Sequence, residues 1–124
     1  MNETPVAILA DVHLHDSCAD FGAGVVIGGR RRALRSWQDI ATGARALNES
    51  GAALCAALAA VRARGIRQVV LLGDYTDDGQ VATTAGLAAI LHDQAARHGL
   101  RFHAIPGNHD VWGPHGKHVS ARLA

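Results

Sequence analysis

The chain has 124 residues, 48% of them hydrophobic, and a formal net charge of +1. This is enough for one domain, residues 1–124, with a sizeable core, and the near-neutral balance gives no general pull toward nucleic acid or an anionic membrane. No stretch approaches the length of a membrane-spanning helix, Met1 to Pro5 leads straight into apolar sequence without a signal peptide, and Cys18 and Cys55 make no disulfide framework, so a reducing cytoplasm is the expected compartment.

In chain order, Val6-Ala7-Ile8-Leu9-Ala10 is a short apolar run without clear alternation, as expected of a parallel strand covered on both faces. It ends on Asp11-Val12-His13, and His15, just beyond, reads as a solvated loop residue or one facing a substrate. The region from Leu14 to Glu49 is too long for an ordinary connection, the kind of insertion that contacts substrate or forms a lid. Its Gly-rich half, Phe21 to Gly29, precedes a short helix expected around Leu34 to Ala46. Arg30, Arg31, Arg32 and Arg35 form a dense basic run that could hold a phosphate or nucleic acid, although a solvated loop or helix start is the plainer reading.

Leu54, Ala57, Leu58 and Val61 then recur at helical spacing, with Asn48 or Ser50 as N-cap and Gly65 as stop. A second strand, Val69 to Leu72, runs into Gly73-Asp74-Tyr75-Thr76-Asp77. Val81, Ala85, Ala88, Leu91 and Ala95 repeat the helical pattern, with Asp78 as cap and Gly99 closing. His92 and His98 fall on this helix as surface residues. The third strand, Phe102 to Ile105, carries His103 as a core or flanking histidine and leads to Gly107-Asn108-His109-Asp110. Gly73 and Gly107 suit sharp turns at these strand ends. Trp112 reads as cover for the sheet edge, and His115 and His118 lie in a Gly- and Pro-broken loop.

The order strand, helix, strand, helix, strand predicts an α/β fold with parallel strands, because such crossovers are overwhelmingly right-handed. All three carboxyl ends then open on one edge, where α/β sheets bind ligands. Three clusters spread over about a hundred residues would meet in one crevice. Singly, each cluster is a poor signal: Gly-Asp-x-x-Asp also suits a strand end with a helix cap, and Gly-Asn-His-Asp a tight turn. Together they offer carboxylate and amide oxygens with imidazole nitrogens, a mixture that suits Mn, Fe or Zn better than Ca or Mg. A pair of such ions clamps a phosphoryl group and lowers the pKa of a shared water.

In these clusters and their order the chain resembles the first three signature motifs of the calcineurin-like metallophosphoesterase superfamily. The resemblance runs from the first strand to Asp110. It implies that Asp11 and His13 bind a first divalent transition-metal ion, that Asp74 bridges two ions, and that Asn108 binds the second. It further implies that His109 serves the leaving group or the phosphate and that Asp77 orients His109, a carboxylate fixing the tautomer of an imidazole. The fold implied is the parallel β-α-β-α-β half of an α/β/β/α sandwich.

Family members continue with a second sheet carrying a lone His and a Gly-His-x-His element, and the fourteen residues after Asp110 do not match them. Asp78 stands where the protein serine/threonine phosphatase branch has an arginine, which argues against that branch. The expectation is a phosphomonoester or phosphodiester hydrolase whose site is incomplete in this chain. The alternative is an inactive remnant that holds one ion or none and acts as a metal-binding or assembly module. Without its second sheet, one apolar face of the first would be bare, so a homo-oligomer or a missing C-terminal half is the expected partner, beside a phosphate-ester substrate.

Overall fold

The computed structural model describes residues 3–15, 24–27, 30–33, 41–42, 49–77, 79 and 81–111. Asn48, Asp78, Cys18, Arg35, Trp112, His115 and His118 lie outside these residues, so the roles expected of them are not addressed by the fold. In chain order the elements are β1 (Val6–Ala10), β2 (Gly24–Ile27), β3 (Arg30–Ala33), α1 (Ser50–Ala63), β4 (Gln68–Leu72), α2 (Val81–His98) and β5 (Arg101–Ile105).

β1, β4 and β5 form one parallel sheet in that order. The chain therefore steps across the sheet in a single direction, and crossovers of equal hand place their helices on the same side. The core agrees with this placement. Leu54, Leu58 and Val61 of α1 and Leu87 of α2 are buried in one cluster with Val69 and Leu71 of β4, and Ala7, Leu9 and Phe102 pack against it.

Strand periodicity sends the alternate residues to the other face. Register aligns Ile8 with Val70 and His103, and Ala10 with Leu72 and Ile105. These rows are open: Ile8 is 63% exposed, Ile105 56% and Leu72 44%. The expectation from periodicity of strands covered on both faces is thus corrected, because both helices lie on one side and, among the described residues, the second face keeps exposed apolar residues, as the resemblance implied. His103 is correspondingly exposed and meets the Gln68 side chain at 3.1 Å.

Both helix stops fall where the sequence put them. Gly65 (φ 72°) and Gly99 (φ 66°) adopt the left-handed conformation that ends a helix, and their amides return to Arg62 and Ala95 at 2.8 and 2.9 Å. The start of α1 differs from expectation. Its N-cap is Glu49, with no side-chain cap bond, and the Ser50 hydroxyl instead accepts the His15 amide at 2.8 Å.

The long insertion contains an antiparallel hairpin, Gly24–Ile27 with Arg30–Ala33. The arginines at 30–32 thus lie in a strand, neither a loop nor a helix start. Ala41 and Thr42 are helical, within the region where a short helix is expected. Among the described residues no helix is long and apolar enough to cross a membrane.

Candidate metal centre

The three clusters occupy the loops that leave β1, β4 and β5 at one edge of the sheet. Main-chain pairing continues past the strands and draws these loops together. His13 and Leu14 amides donate to the carbonyls of Asp74 and Tyr75 at 2.8 and 3.0 Å, and the Asp77 amide returns to Leu14 at 3.0 Å. Leu14 is fully buried beneath this ladder, so its burial fixes the backbone that carries His13.

Asp110 binds the third loop to the second. Its Oδ1 accepts the Thr76 amide at 2.7 Å and the Thr76 hydroxyl at 2.8 Å. Its Oδ2 accepts the Gly107 amide at 2.8 Å and the Tyr75 amide at 3.2 Å. The Asp110 charge lies beside Tyr75, and burial first, then that charge, raise the tyrosine pKa. Asp74 completes the joint, since its Oδ1 accepts the His109 amide at 2.8 Å. Gly107 is needed here for space: a Cβ would stand 2.8 Å from Asp74 Cγ and closer still to Oδ1 and the amide nitrogen.

Three side chains converge on this frame. His13, Asp74 and His109 each offer a ligand atom within 4.8 Å of the others. His13 Nε2 lies 3.9 Å from Asp74 Oδ2, and the His13 and His109 rings meet edge to face at 4.8 Å. Donors bonded to one ion at about 2.0–2.2 Å can stand no more than about 4.4 Å apart, so the first pair fits a shared ion. Imidazole with carboxylate is also the donor chemistry of a transition ion. His13 Nδ1 is buried and has no hydrogen-bond partner, which leaves the polar edges of this ring incompletely satisfied by protein.

The remaining expected residues take different places. Asp11 follows β1, is exposed and stands outside the group of His13, Asp74 and His109, and Asn108 is exposed in the turn of the third loop. Asp77 does touch His109, but the hydrogen bond runs from the ring Nδ1 to the main-chain carbonyl at 2.6 Å. The Asp77 carboxylate faces His13 Nδ1 and His15 Nδ1, each at 3.8 Å. His15 is only 5% exposed, which corrects the expectation of a solvated loop residue: its ring is held under the second loop. Asp11, His13 and Asp74 all have positive φ, at 51°, 44° and 40°. That conformation is uncommon outside glycine and collects at functional sites.

A family model described as calcineurin-like phosphoesterase matches residues 4–123. The chain belongs to this family. As a calcineurin-like phosphoesterase it shows a three-stranded parallel sheet with two helices, consistent with part of that fold, and its His/Asp group lies at one edge of this sheet. A search of curated proteins gave no match.

Sequence reasoning named Thr76, Ser50 and Asp110 but missed their roles: Thr76 and Asp110 tie the second loop to the third, and Ser50 receives the His15 amide. Asp110 was visible as the fourth residue of Gly-Asn-His-Asp, yet its partners Thr76 and Tyr75 lie 34 and 35 residues away in the chain.

Proposed function

We propose that the chain hydrolyses phosphate monoesters or diesters with two divalent transition ions, Mn, Fe or Zn. The observation that carries this reading is the convergence of His13, Asp74 and His109 on one rim in a calcineurin-like phosphoesterase. His13 and Asp74 would hold an ion, with Asp11 and Asn108 contributing from the same sheet edge. Bound there, the ions would supply an activated water and neutralise phosphate charge.

The chain's own residues supply orientation and protons. A carbonyl only accepts, so the bond from His109 to the Asp77 carbonyl puts a proton on Nδ1 and leaves Nε2 as the working nitrogen. In its protonated form that nitrogen donates to the leaving oxygen. The Asp74 carboxylate, through the His109 amide, sets the distance between the ion-binding side and the proton donor.

A second reading, a binding or assembly module that holds at most one ion, is favoured by the side chains that actually gather, which are enough for one ion. The open sheet face supports association with a second copy or with a further polypeptide that completes the site. The cytoplasmic assignment rests on the cysteine count in the sequence.

The test is hydrolysis of a chromogenic phosphodiester by the purified chain with Mn²⁺, beside His109→Ala and Asp74→Ala, with ion stoichiometry from calorimetry. Activity lost in both variants and two bound ions support the esterase. One weakly bound ion and no turnover in a folded sample support the module.

A further inference from the structure

We propose that the groove between β1 and α1 is the subsite for the uncharged half of the substrate, so that this chain takes phosphate esters of an apolar, aromatic or long-chain alcohol. The inference deepens the phosphoesterase reading and rests on it for the phosphate half.

The groove has a volume of about 420 Å³, within the range of about 300–1,000 Å³ usual for small-molecule sites. One wall is a face of α1, where Ser50, Ala53, Leu54 and Ala57 follow the spacing i, i+3, i+4, i+7. Leu54 is buried in the core, and the short side chains of Ala53 and Ala57 leave the space beside it open. The other wall is the unbroken run from Ile8 to Val12. Successive strand residues face opposite sides of a sheet, so consecutive residues border one groove along the free edge of the strand. β1 has such an edge, since β4 is its sole neighbour in the three-stranded sheet. An edge strand presents unpaired main-chain N–H and C=O groups, and a few polar groups of this kind orient a ligand in an otherwise apolar site.

The occupant follows from charge and position. Seven of the nine lining residues are apolar, and no Lys, Arg or His stands among them to receive a phosphate. Asp11 is the one acidic residue of the lining, at the end that leads into His13 and the converging group. A phosphate is therefore turned away from the groove and toward the ion-binding rim. The organic half of an ester needs no counter-charge, and it is the part that this surface can bury. Asp11 and Val12 belong both to the groove and to the stretch that carries His13, so the two halves of one ester meet a continuous surface.

The experiment follows ¹H–¹⁵N correlation spectra of the full chain with Zn²⁺ during titration with 1-naphthyl phosphate, methyl phosphate and 1-naphthol, in the wild type and in Ala57→Leu. The expected result is that the naphthyl ester moves the amide signals of Ile8, Ala53 and Ala57 while methyl phosphate leaves them in place. Ala57→Leu, which fills the groove, should weaken the naphthyl ester about tenfold and leave methyl phosphate binding unchanged. Equal affinity of the two esters for the wild type, or a folded Ala57→Leu that binds both as the wild type does, overturns the proposal. If that variant does not fold, Ala53→Leu, at an exposed helix position, takes its place with the same two outcomes. A wild-type dimer in light scattering that Ala53→Leu converts to monomer also overturns it, because a second copy then occupies the groove. 1-Naphthol moving the groove signals in a chain that binds neither Zn²⁺ nor methyl phosphate would support the groove and remove the metal-centre reading instead.

Discussion

Asp110 accepts both the amide and the hydroxyl of Thr76, at 2.7 and 2.8 Å, so that a single oxygen of the third loop holds the second. With two further amides on its other oxygen, this carboxylate fixes the separation between Asp74 and His109.

Replacement of Asp110 by Asn keeps the size but removes the charge and one acceptor. Because hydrogen bonds to charged groups contribute about 1.5–3 kcal/mol, the expected loss is about 2 kcal/mol. Urea unfolding measures it, together with weaker Mn²⁺ binding; an unchanged midpoint would show that Thr76 and Gly107 hold the loop without help.

Gly107→Ala should damage the site more than the fold. The added carbon would press on Asp74, which has to move. We expect lost ion binding at a stability cost of about 1–3 kcal/mol, the usual range for overpacking, with helical circular dichroism retained. Gly65→Ala is the control: no atom lies within 4 Å of the new carbon, and only its φ of +72° is unfavourable, so about 1 kcal/mol should be lost with ion affinity unchanged. Equal effects of the two on affinity would contradict the steric argument.

Alkaline pH should reveal Tyr75. Burial and then the charge of Asp110 raise its pKa above 10.0. Its folded pKa exceeds the unfolded one, so its contribution to stability is complete below the unfolded value and is lost as pH rises through the folded value. The stability curve of Tyr75→Phe should be flatter above about pH 10. Phenolate absorbance checks the premise directly, and a normal midpoint would remove it.

The two sheet faces should respond oppositely to substitution. Leu71, fully buried, should lose about 2–5 kcal/mol on change to Ala. Ile8, 63% exposed, should tolerate Glu within about 0.5 kcal/mol. If the open face associates, Ile8→Glu should also shift light scattering toward the monomer. A large loss of stability in the Ile8 variant would mean that this face is already covered within the chain.

Much of this was legible in the sequence. Strands β1, β4 and β5 are dense apolar runs, and Gly65 and Gly99 mark helix ends by backbone chemistry alone. The hairpin was passed over although Val25-Val26-Ile27 is a β-branched run that ends on Gly28-Gly29 in the sequence; it was the three consecutive arginines of the second strand that lacked the apolar alternation signalling a strand. The division of labour at Asp77, where the main chain serves His109 and the side chain serves two other histidines, was not legible. Such a split depends on tertiary direction, for which motif spacing carries no signal. The open sheet face was expected only through the family resemblance; periodicity alone suggested cover on both sides.

Among the described residues, the positive φ angles at Asp11, His13 and Asp74 place the non-glycine backbone of least favourable conformation under the most chemically valuable side chains. Glycine would relax each of these positions. A laboratory selection that rewards thermal resistance alone would therefore tend to erase the acidic and imidazole residues of this rim first, and thermostabilisation of this protein should be pursued with all three positions held constant.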